Sequence, residues 1–290
     1  GRQGREMHAS QVVIDVPAIP LIEVFLLVLI FQLYRLTALV QEGVKHLRTL
    51  NVKKATMQSA SSETPAKVKE RSTSTPNPMV SRPLQTSSQL FRACYLGETD
   101  VNVELLNDAL RSYCPLIQQI GAFTLLSIRE VHTNVGKIES SFELAPVRYR
   151  SMRELLEAEI GAGMHQAGGM LSDPSAAMGM LWARRGLMFW VHIYQARIDA
   201  MPGQNERDAL YMHKSVEQAY NKNILPFNGW LSQKSFQLAL KAVPSDLPKW
   251  APSEDLLTAD LTEWVQAVTN LCSRMEAMQK ELDLEDLRKS

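Results

Sequence analysis

The hydrophobic positions of this 290-residue chain follow three patterns along its length. Residues 17–40 are apolar with few interruptions, whereas residues 55–90 hold 13 Ser/Thr and four Pro but no aromatic side chain. From residue 91 to the end, apolar positions recur at spacings of three and four, which puts them on one face of a helix. Because no alternating apolar run competes with this spacing, the pattern predicts an all-α folded unit over residues 91–290, without a sheet.

The folded unit is predicted to be a series of helices. Asp100 is expected to cap the first, which contains Pro115. A long helix is expected to begin at Asp173 and Pro174, with Asp173 as its N-cap, and the last helix to follow Ser253. The other helices are predicted at about 123–142, 149–160, 206–225 and 228–243. The apolar stripe of the last helix fits either a coiled-coil seam or, as we prefer, a face packed inside a compact bundle.

The N-terminal region is predicted to be a tail at residues 1–16, a membrane-anchor or amphipathic helix at 17–50 and a flexible linker at 51–90. The longest run without charge in this segment is residues 24–34, about 16 Å of helix and half a bilayer core. A membrane anchor is the preferred interpretation of residues 17–40. An interfacial or core helix and a cleaved signal are the alternatives.

The distribution of charge around this segment predicts its orientation. Residues 41–90 carry eight Lys/Arg against three Asp/Glu, whereas residues 1–16 carry two of each. Because positive flanks stay on the cytosolic side, a spanning segment would leave the folded domain in the cytosol, tethered by residues 17–40. The alternative is a soluble cytoplasmic protein.

Charge and cysteine usage exclude several classes of function. The whole chain has 31 Lys+Arg and 31 Asp+Glu, so no overall positive charge favours nucleic acid. Cys94, Cys114 and Cys272 lie far apart, and the six histidines form no ligand-spaced pair, so we expect no metal, no cofactor and no disulfide framework. The glycine-rich stretch GAGMHQAGG follows a helix rather than a strand, which is unlike a phosphate loop. No catalytic signature is present, and we expect no enzyme.

Polar and aromatic residues in the helical region are more informative. Glu130, Asn134 and Lys137 are spaced by four and three, so they share one face of a helix. A face that is simply exposed to solvent would show the same spacing. Trp182 lies in an aromatic stretch whose ordinary explanation is core packing. Asn228 stands at the start of a predicted helix, where capping alone would explain it.

Four motifs in order resemble the glycolipid transfer protein family over roughly residues 101–282. They are E-x-x-x-N-x-x-K at Glu130–Lys137, the run KIESSFELAPVRYRSMRELLEAE at Lys137–Glu159, LWARRGL around Trp182, and AY with NGW-x-x-QK-x-F-Q-x-AL at Ala219–Leu240. The resemblance implies a two-layer, all-helical sandwich that encloses hydrocarbon chains between its helices. It also implies a surface patch that holds a sphingolipid head group.

The resemblance assigns roles to individual side chains. Glu130, where the family has Asp, would accept hydrogen bonds from the ceramide amide and a sugar hydroxyl. Asn134 and Lys137 would bind sugar hydroxyls, and Trp182 would stack under the first sugar ring. Asn228 replaces the family's His, and its amide can still donate to the ceramide carbonyl.

The resemblance also predicts an apolar site and a ligand class. Phe123, Leu126, Phe189 and Phe236 are expected to line the chain pocket, with ordinary core packing as the alternative, and Trp230 to dock on membranes. A sugar head group is favoured over a phosphate. The phosphate-binding branch of the family has basic residues at the position that corresponds to Trp182 and at the position one turn later, whereas this chain does not.

We therefore expect a monomer that transfers a glycosylceramide between membranes. The partners implied are a sphingolipid and a membrane surface, with no nucleic acid. The alternatives are a membrane-tethered sensor or adaptor that does not transfer lipid, and a ligand of the ceramide-1-phosphate type.

Overall fold

A computed structural model describes residues 82–144, 150–200, 208 and 210–289 of the chain. They all belong to one unit, Pro76–Ser290. The tail predicted at 1–16, the helix predicted at 17–50 and the linker predicted at 51–90, apart from its last nine residues, lie outside the described residues. Among the described helices, none combines the length and apolar character needed to cross a bilayer.

Eight α-helices, numbered in chain order, make up most of the described residues. They are α1 (Pro83–Ala93), α2 (Val103–Gln118), α3 (Leu125–Phe142), α4 (Met152–Gly161), α5 (Ala176–Asp199), α6 (Tyr211–Asn223), α7 (Trp230–Leu240) and α8 (Glu254–Glu281). Short 3₁₀ turns at Ala122–Thr124 and Leu225–Phe227 come before α3 and α7. The all-helical prediction is confirmed, and Pro115 lies inside α2 as expected.

The folded unit begins earlier than residue 91. Helix α1 starts at Pro83, inside the stretch predicted as linker, and its Leu84 is fully buried. Ser87 accepts a hydrogen bond from the indole N–H of Trp264 on α8 at 3.0 Å, and Arg82 forms an ion pair with Asp260 of the same helix. Composition alone missed these residues because small polar side chains become a packing surface only when a partner helix covers them.

The prediction that no sheet is present is wrong, because the described residues include a two-stranded sheet. Strands β1 (Tyr95–Leu96) and β2 (Asp100–Val101) pair antiparallel, and two residues are too short for an alternating pattern to reveal. Asp100 lies in β2 and accepts a hydrogen bond from the Arg153 backbone N–H at 3.2 Å. The cap of α2 is instead Asn102, whose side chain accepts from the backbone of Leu105.

Helix α5 is the central helix of the described unit and packs against α3, α4, α6 and α8. Apolar side chains surround it almost completely, which is typical of a buried helix. At Gly179, a Cβ atom would lie 2.6 Å from the backbone oxygen of Asn134 and 2.9 Å from the side chain of Ile138. Only glycine therefore permits α5 to approach α3 this closely, and the contact lies on the polar segment of α3.

The apolar stripe of α8 faces the interior of the bundle. This was the interpretation that we preferred to a coiled-coil seam. Its members are buried: Leu257, Leu261, Trp264, Val268, Leu271, Met275 and Met278. The helix follows Ser253 as predicted, and the Ser253 side chain caps it by accepting from the backbone N–H of Leu256 at 3.3 Å. Helix α8 therefore forms one wall of the core.

Candidate functional site

The polar face of α3 is only partly open to solvent. Glu130 is exposed, whereas Asn134 is 3% exposed because it lies under the close contact with α5. The Lys137 side chain is largely covered, with 16% of it exposed. A simple solvated face therefore does not describe these residues, since one of the three is in the interior and a second is mostly buried.

Lys137 forms an ion pair that the sequence did not indicate. Its Nζ lies 2.7 Å from Oδ1 of Asp173, a side chain that is 54% exposed. The prediction that Asp173 is the N-cap of α5 is wrong. Ser175 takes that role, and its Oγ accepts from the backbone N–H of Met178 at 3.1 Å. The carboxylate of Asp173 is therefore directed to Lys137 rather than to the helix.

The N-terminus of α5 is satisfied from within the protein. The buried carboxylate of Glu159 on α4 accepts from the backbone N–H groups of Ala176 at 2.6 Å and Ala177 at 3.0 Å. These N–H groups would otherwise attract an anion. With Ser175 bonded to the next N–H group, this helix end does not offer a free anion site beside Lys137.

Trp182 lies one turn beyond Gly179 on α5 and is half-buried. The guanidinium carbon of Arg185 lies 5.1 Å from the centroid of the Trp182 ring and 3.5 Å from that of Phe227. Burial lowers the pKa of Arg185 to about 10, although the nearby carboxylate of Glu285 raises it. Sequence reasoning missed Arg185 as a neighbour, because its contacts join α5 to a turn that is distant in the chain.

The C-terminal tail borders the same region. Arg185 donates to the backbone carbonyl of Asp286, and the Asp286 carboxylate accepts from the backbone N–H of Leu171 at 3.0 Å. Gly169 adopts a φ of +74°, and a Cβ atom there would lie 2.9 Å from the Glu285 carbonyl. One glycine of the GAGMHQAGG stretch is thus needed where the tail packs against the loop.

Ionised groups hold this tail in place. Burial raises the pKa of Asp286, but hydrogen bonds from the side chain and backbone of Arg288 and from the backbone of Leu171 outweigh it and lower the pKa to about 2. Arg288 also donates to the Leu171 carbonyl at 3.0 Å. This tail, which has no aromatic side chain, is therefore held by polar bonds together with the buried side chain of Leu284.

Asn228 lies between the 225–227 turn and α7. It is not a cap, because the residue that precedes α7 is Gly229 and no side chain bonds there. The Asn228 amide donates instead to the hydroxyl of Tyr220 at 3.2 Å, and its backbone carbonyl accepts from the Gln233 side chain at 2.8 Å. The capping explanation is therefore wrong, and the amide is held by an aromatic residue of α6.

Three of the four predicted chain-pocket residues belong to one set of contacting rings. Tyr220 stacks on Phe236 with centroids 3.5 Å apart, and Phe236 meets Phe189 edge-on at 6.4 Å. Phe189 contacts Trp190 at 5.2 Å, and Phe123 contacts Trp190 at 6.0 Å. Phe123 and Phe189 are buried, whereas Phe236 is only partly buried.

Two of the apolar side chains predicted to bind lipid or membrane lie at the surface. Leu126, in the first turn of α3, is 38% exposed. Its assignment to the chain pocket remains a prediction. Trp230 begins α7 and is 72% exposed, beside the exposed Leu231. Large apolar side chains of this kind on a helix end are suited to an interface with another apolar phase.

The described part of the chain contains no cluster of three or more His, Cys, Asp or Glu side chains arranged to hold a metal ion. The three cysteines are buried and free. Burial raises the pKa of Cys94 and Cys272 to about 12 and that of Cys114 to about 11, so these thiols are poor nucleophiles at neutral pH.

Comparisons of sequence connect these residues with known proteins. The family model described as Glycolipid transfer protein (GLTP) matches residues 101–247. Glycolipid transfer protein 3 of Arabidopsis thaliana is 25% identical over 179 residues, which cover 58% of this chain and 72% of that protein. The glycolipid transfer protein of Danio rerio is 28% identical over 138 residues, which cover 47% of this chain and 63% of that protein.

Solved structures share the fold at low sequence identity. A structure of FAPP2, described as selecting simple glycosphingolipids with the GLTP-fold, has a TM-score of 0.59 at 17% identity and covers 72% of this chain and 99% of its own. Human ceramide-1-phosphate transfer protein in complex with 2:0 ceramide-1-phosphate has a TM-score of 0.61 at 13% identity. The match covers 71% of this chain and 99% of that protein's chain. The fold implied by the four motifs, a two-layer helical sandwich, is thereby confirmed.

Proposed function

Because this chain belongs to the glycolipid transfer protein family, we propose that it binds a sphingolipid and carries it between membranes. The matched range, residues 101–247, contains all five residues expected to bind the head group. Relatives named as glycolipid transfer proteins and a fold relative in complex with ceramide-1-phosphate support a sphingolipid as the class of ligand. The finer proposal is that the ligand is a glycosylceramide.

The observation that carries the proposal is the close contact of α3 and α5 at Gly179. This contact brings the polar face that contains Asn134 and Lys137 beside the turn of α5 that contains Trp182. Amide and ammonium groups bind sugar hydroxyls, while the indole ring offers a flat apolar surface to the C–H face of a sugar. Glu130, exposed one turn before Asn134, supplies the acceptor for the ceramide amide.

Asn228 would complete the grip on the ceramide amide. Its side chain is positioned by the Tyr220 hydroxyl, and an Asn amide carries two N–H donors. The N–H group not used in that bond is available to the ceramide carbonyl. Arg185 contacts Trp182 and Phe227, and therefore joins the sugar-stacking ring to the turn that precedes Asn228.

The hydrocarbon chains would enter between α5 and α7, where Phe189 meets Phe236. Burying a methylene contributes about 0.8 kcal/mol, so a 16-carbon chain that crosses water unaided faces a penalty on the order of 12 kcal/mol. Leu240 is the only buried residue within α7, so this helix is attached by fewer core contacts than α5 or α8. A lightly packed helix costs less to displace, which favours chain entry on that side.

The same helix would meet the membrane. Trp230 and Leu231 are exposed at its N-terminal end, close in the chain to Asn228. Trp is favoured at the membrane–water interface because one part of its ring system is apolar and its N–H is polar. Docking through Trp230 would put the entry site against the bilayer from which the lipid is taken.

Vesicle-to-vesicle transfer by the full chain tests the proposal. Donor vesicles would hold fluorescent glucosylceramide, galactosylceramide, ceramide-1-phosphate or, as a control, phosphatidylcholine. We expect the glycosylceramides to move and phosphatidylcholine to stay. Binding of glucosylceramide without transfer would support the alternative of a lipid sensor or adaptor, and binding of none of the sphingolipids would overturn the proposal.

A tether at residues 17–40 is a separate proposal that rests on the sequence. The apolar segment and the positive flank at 41–90 support a membrane attachment with the domain on the cytosolic side. If the roughly 30 residues at 51–81 act as a flexible linker, they would span roughly 30 Å on average, which suits a narrow gap between membranes. Recovery of the full-length protein in the soluble fraction after carbonate extraction would contradict an integral anchor.

A further inference from the structure

The ammonium group of Lys137 is the cation of the proposed head-group patch, and it is already paired. Lys137 Nζ and Asp173 Oδ1 lie 2.7 Å apart, with most of the lysine covered and about half of the aspartate open to solvent. Glu130 adds a second carboxylate on the same face of α3. The charges of these three side chains sum to −1.

Neighbouring groups that could attract an anion are also engaged. The first N–H groups of α5 are bonded to Glu159 and Ser175. The guanidinium of Arg185 is buried against Trp182 and Phe227, next to Glu285 and the Asp286 carbonyl. Among the described residues, Asp173 is therefore an exposed carboxylate in direct contact with Lys137, the cation predicted to bind the head group.

Sugars and phosphates respond to this arrangement in opposite ways. A sugar hydroxyl can donate to the Asp173 carboxylate and accept from Lys137, so an ion pair offers it both kinds of partner. A phosphate monoester carries about −1.5 to −2 charges at pH 7 and only accepts at its ionised oxygens. It would have to displace Asp173 from Lys137 or bind beside a like charge, and either one opposes binding.

We propose that Asp173 is a specificity-determining residue, which keeps the head-group site selective for a neutral sugar over a phosphate by pairing with Lys137. The inference rests on the proposed function, since it assumes that sphingolipids bind at this patch. It goes beyond the resemblance, which assigned no role to Asp173.

The test compares transfer of glucosylceramide and ceramide-1-phosphate by the full chain and four variants. Asp173→Asn removes the charge at nearly constant size, and we expect the rate ratio of ceramide-1-phosphate to glucosylceramide to rise about tenfold. Asp173→Glu keeps the charge and should keep the ratio of the parent. Adding Lys137→Met to Asp173→Asn should cancel the gain, because the phosphate then loses the freed cation.

The matched control is Asp246→Asn. Asp246 is a partly exposed aspartate paired with Arg197 at 2.9 Å, near the opposite end of the roughly 36 Å long α5. It should leave the ratio unchanged. The gain in Asp173→Asn should also shrink as salt rises from about 50 to 500 mM, because screening weakens a phosphate–lysine contact. A purely structural role of Asp173 would not produce that salt dependence.

The outcomes separate this inference from the proposed function. If the parent transfers glucosylceramide and Asp173→Asn, folded by circular dichroism, leaves the ratio unchanged, the role of Asp173 is wrong and the transfer function stands. A parent that already prefers ceramide-1-phosphate, or a ratio that shifts equally in Asp246→Asn, also overturns it. If the parent binds neither lipid, the proposed function itself fails.

Discussion

Two groups of aromatic side chains lie next to each other in this fold and differ in how completely they are enclosed. The core group is Phe91, Tyr113, Tyr194 and Trp264, whose members are buried between α1, α2, α5 and α8. The site group is Phe189, Tyr220, Phe227 and Phe236, located between α5, α6 and α7. Phe189 and Tyr220 are buried, whereas Phe227 and Phe236 are only partly buried. Trp190 contacts both groups, at 6.4 Å from Tyr113 and 5.2 Å from Phe189.

The polar atoms near each group account for the difference. In the core group the hydroxyl of Tyr113 bonds to that of Tyr194 at 2.8 Å, and the Trp264 N–H bonds to Ser87 at 3.0 Å. These polar atoms partner one another, which makes the packing self-contained. Next to the site group, the buried Nε of Arg185 has no hydrogen-bond partner. A buried polar group without a partner is costly, so the packing beside the site group is less self-contained than that of the core group.

The largest effect should come from breaking the core group. Trp264→Ala removes a fully buried indole and its bond to Ser87, and should lower the free energy of unfolding by about 3–5 kcal/mol. Phe236→Ala in the site group removes a half-buried ring and should cost about 1–2 kcal/mol. Urea denaturation of both variants checks the comparison. Equal costs would mean that the two groups do not differ as described.

Removing the sugar-stacking ring should separate function from stability. Trp182→Ala should lower glucosylceramide transfer at least about tenfold, because a Trp anchor in a binding patch supplies a large share of the interaction. Helicity measured by far-ultraviolet circular dichroism should stay near that of the parent, since the ring is not fully buried in the core. Loss of fold together with transfer would assign Trp182 to the core instead.

Restoring the family's residues should sharpen the site with a small effect. Glu130→Asp together with Asn228→His should bind simple glycosylceramides as well as the parent or up to about threefold better, because both changes keep the acceptor and donor. Binding to labelled vesicles measures this. A large loss would indicate that the site is matched to a head group other than a simple sugar.

Acid should affect the tail beside the site before it affects the core group. The carboxyl of Asp286 has its pKa lowered to about 2 in the folded protein, below its ordinary value of 3.8, so its contribution is complete above about pH 4 and is lost as pH falls through 2. Hydrogen exchange of the Leu171 N–H should therefore accelerate over that range. Asp286→Asn should remove the pH dependence, and a transition near pH 6 in the parent would contradict the assignment.

Local pattern determined a large part of this protein. Spacings of three and four predicted the helices, and four motifs in order predicted the family and its fold, because both depend on neighbours a few residues apart in the chain. The same spacing put Asn134 and Lys137 on one face of α3. It also identified the buried stripe of α8.

Only the tertiary structure decided what these faces meet. Helix α1 begins in a stretch without aromatic residues because α8 packs against it: the Trp264 N–H donates to Ser87, and Asp260 pairs with Arg82, which precedes the helix. Gly179 carries no local signal, yet its missing Cβ lets α5 reach α3. The pairing of Lys137 with Asp173 joins residues far apart in the chain. Such contacts depend on how helices pack, which the periodicity of a single helix does not encode.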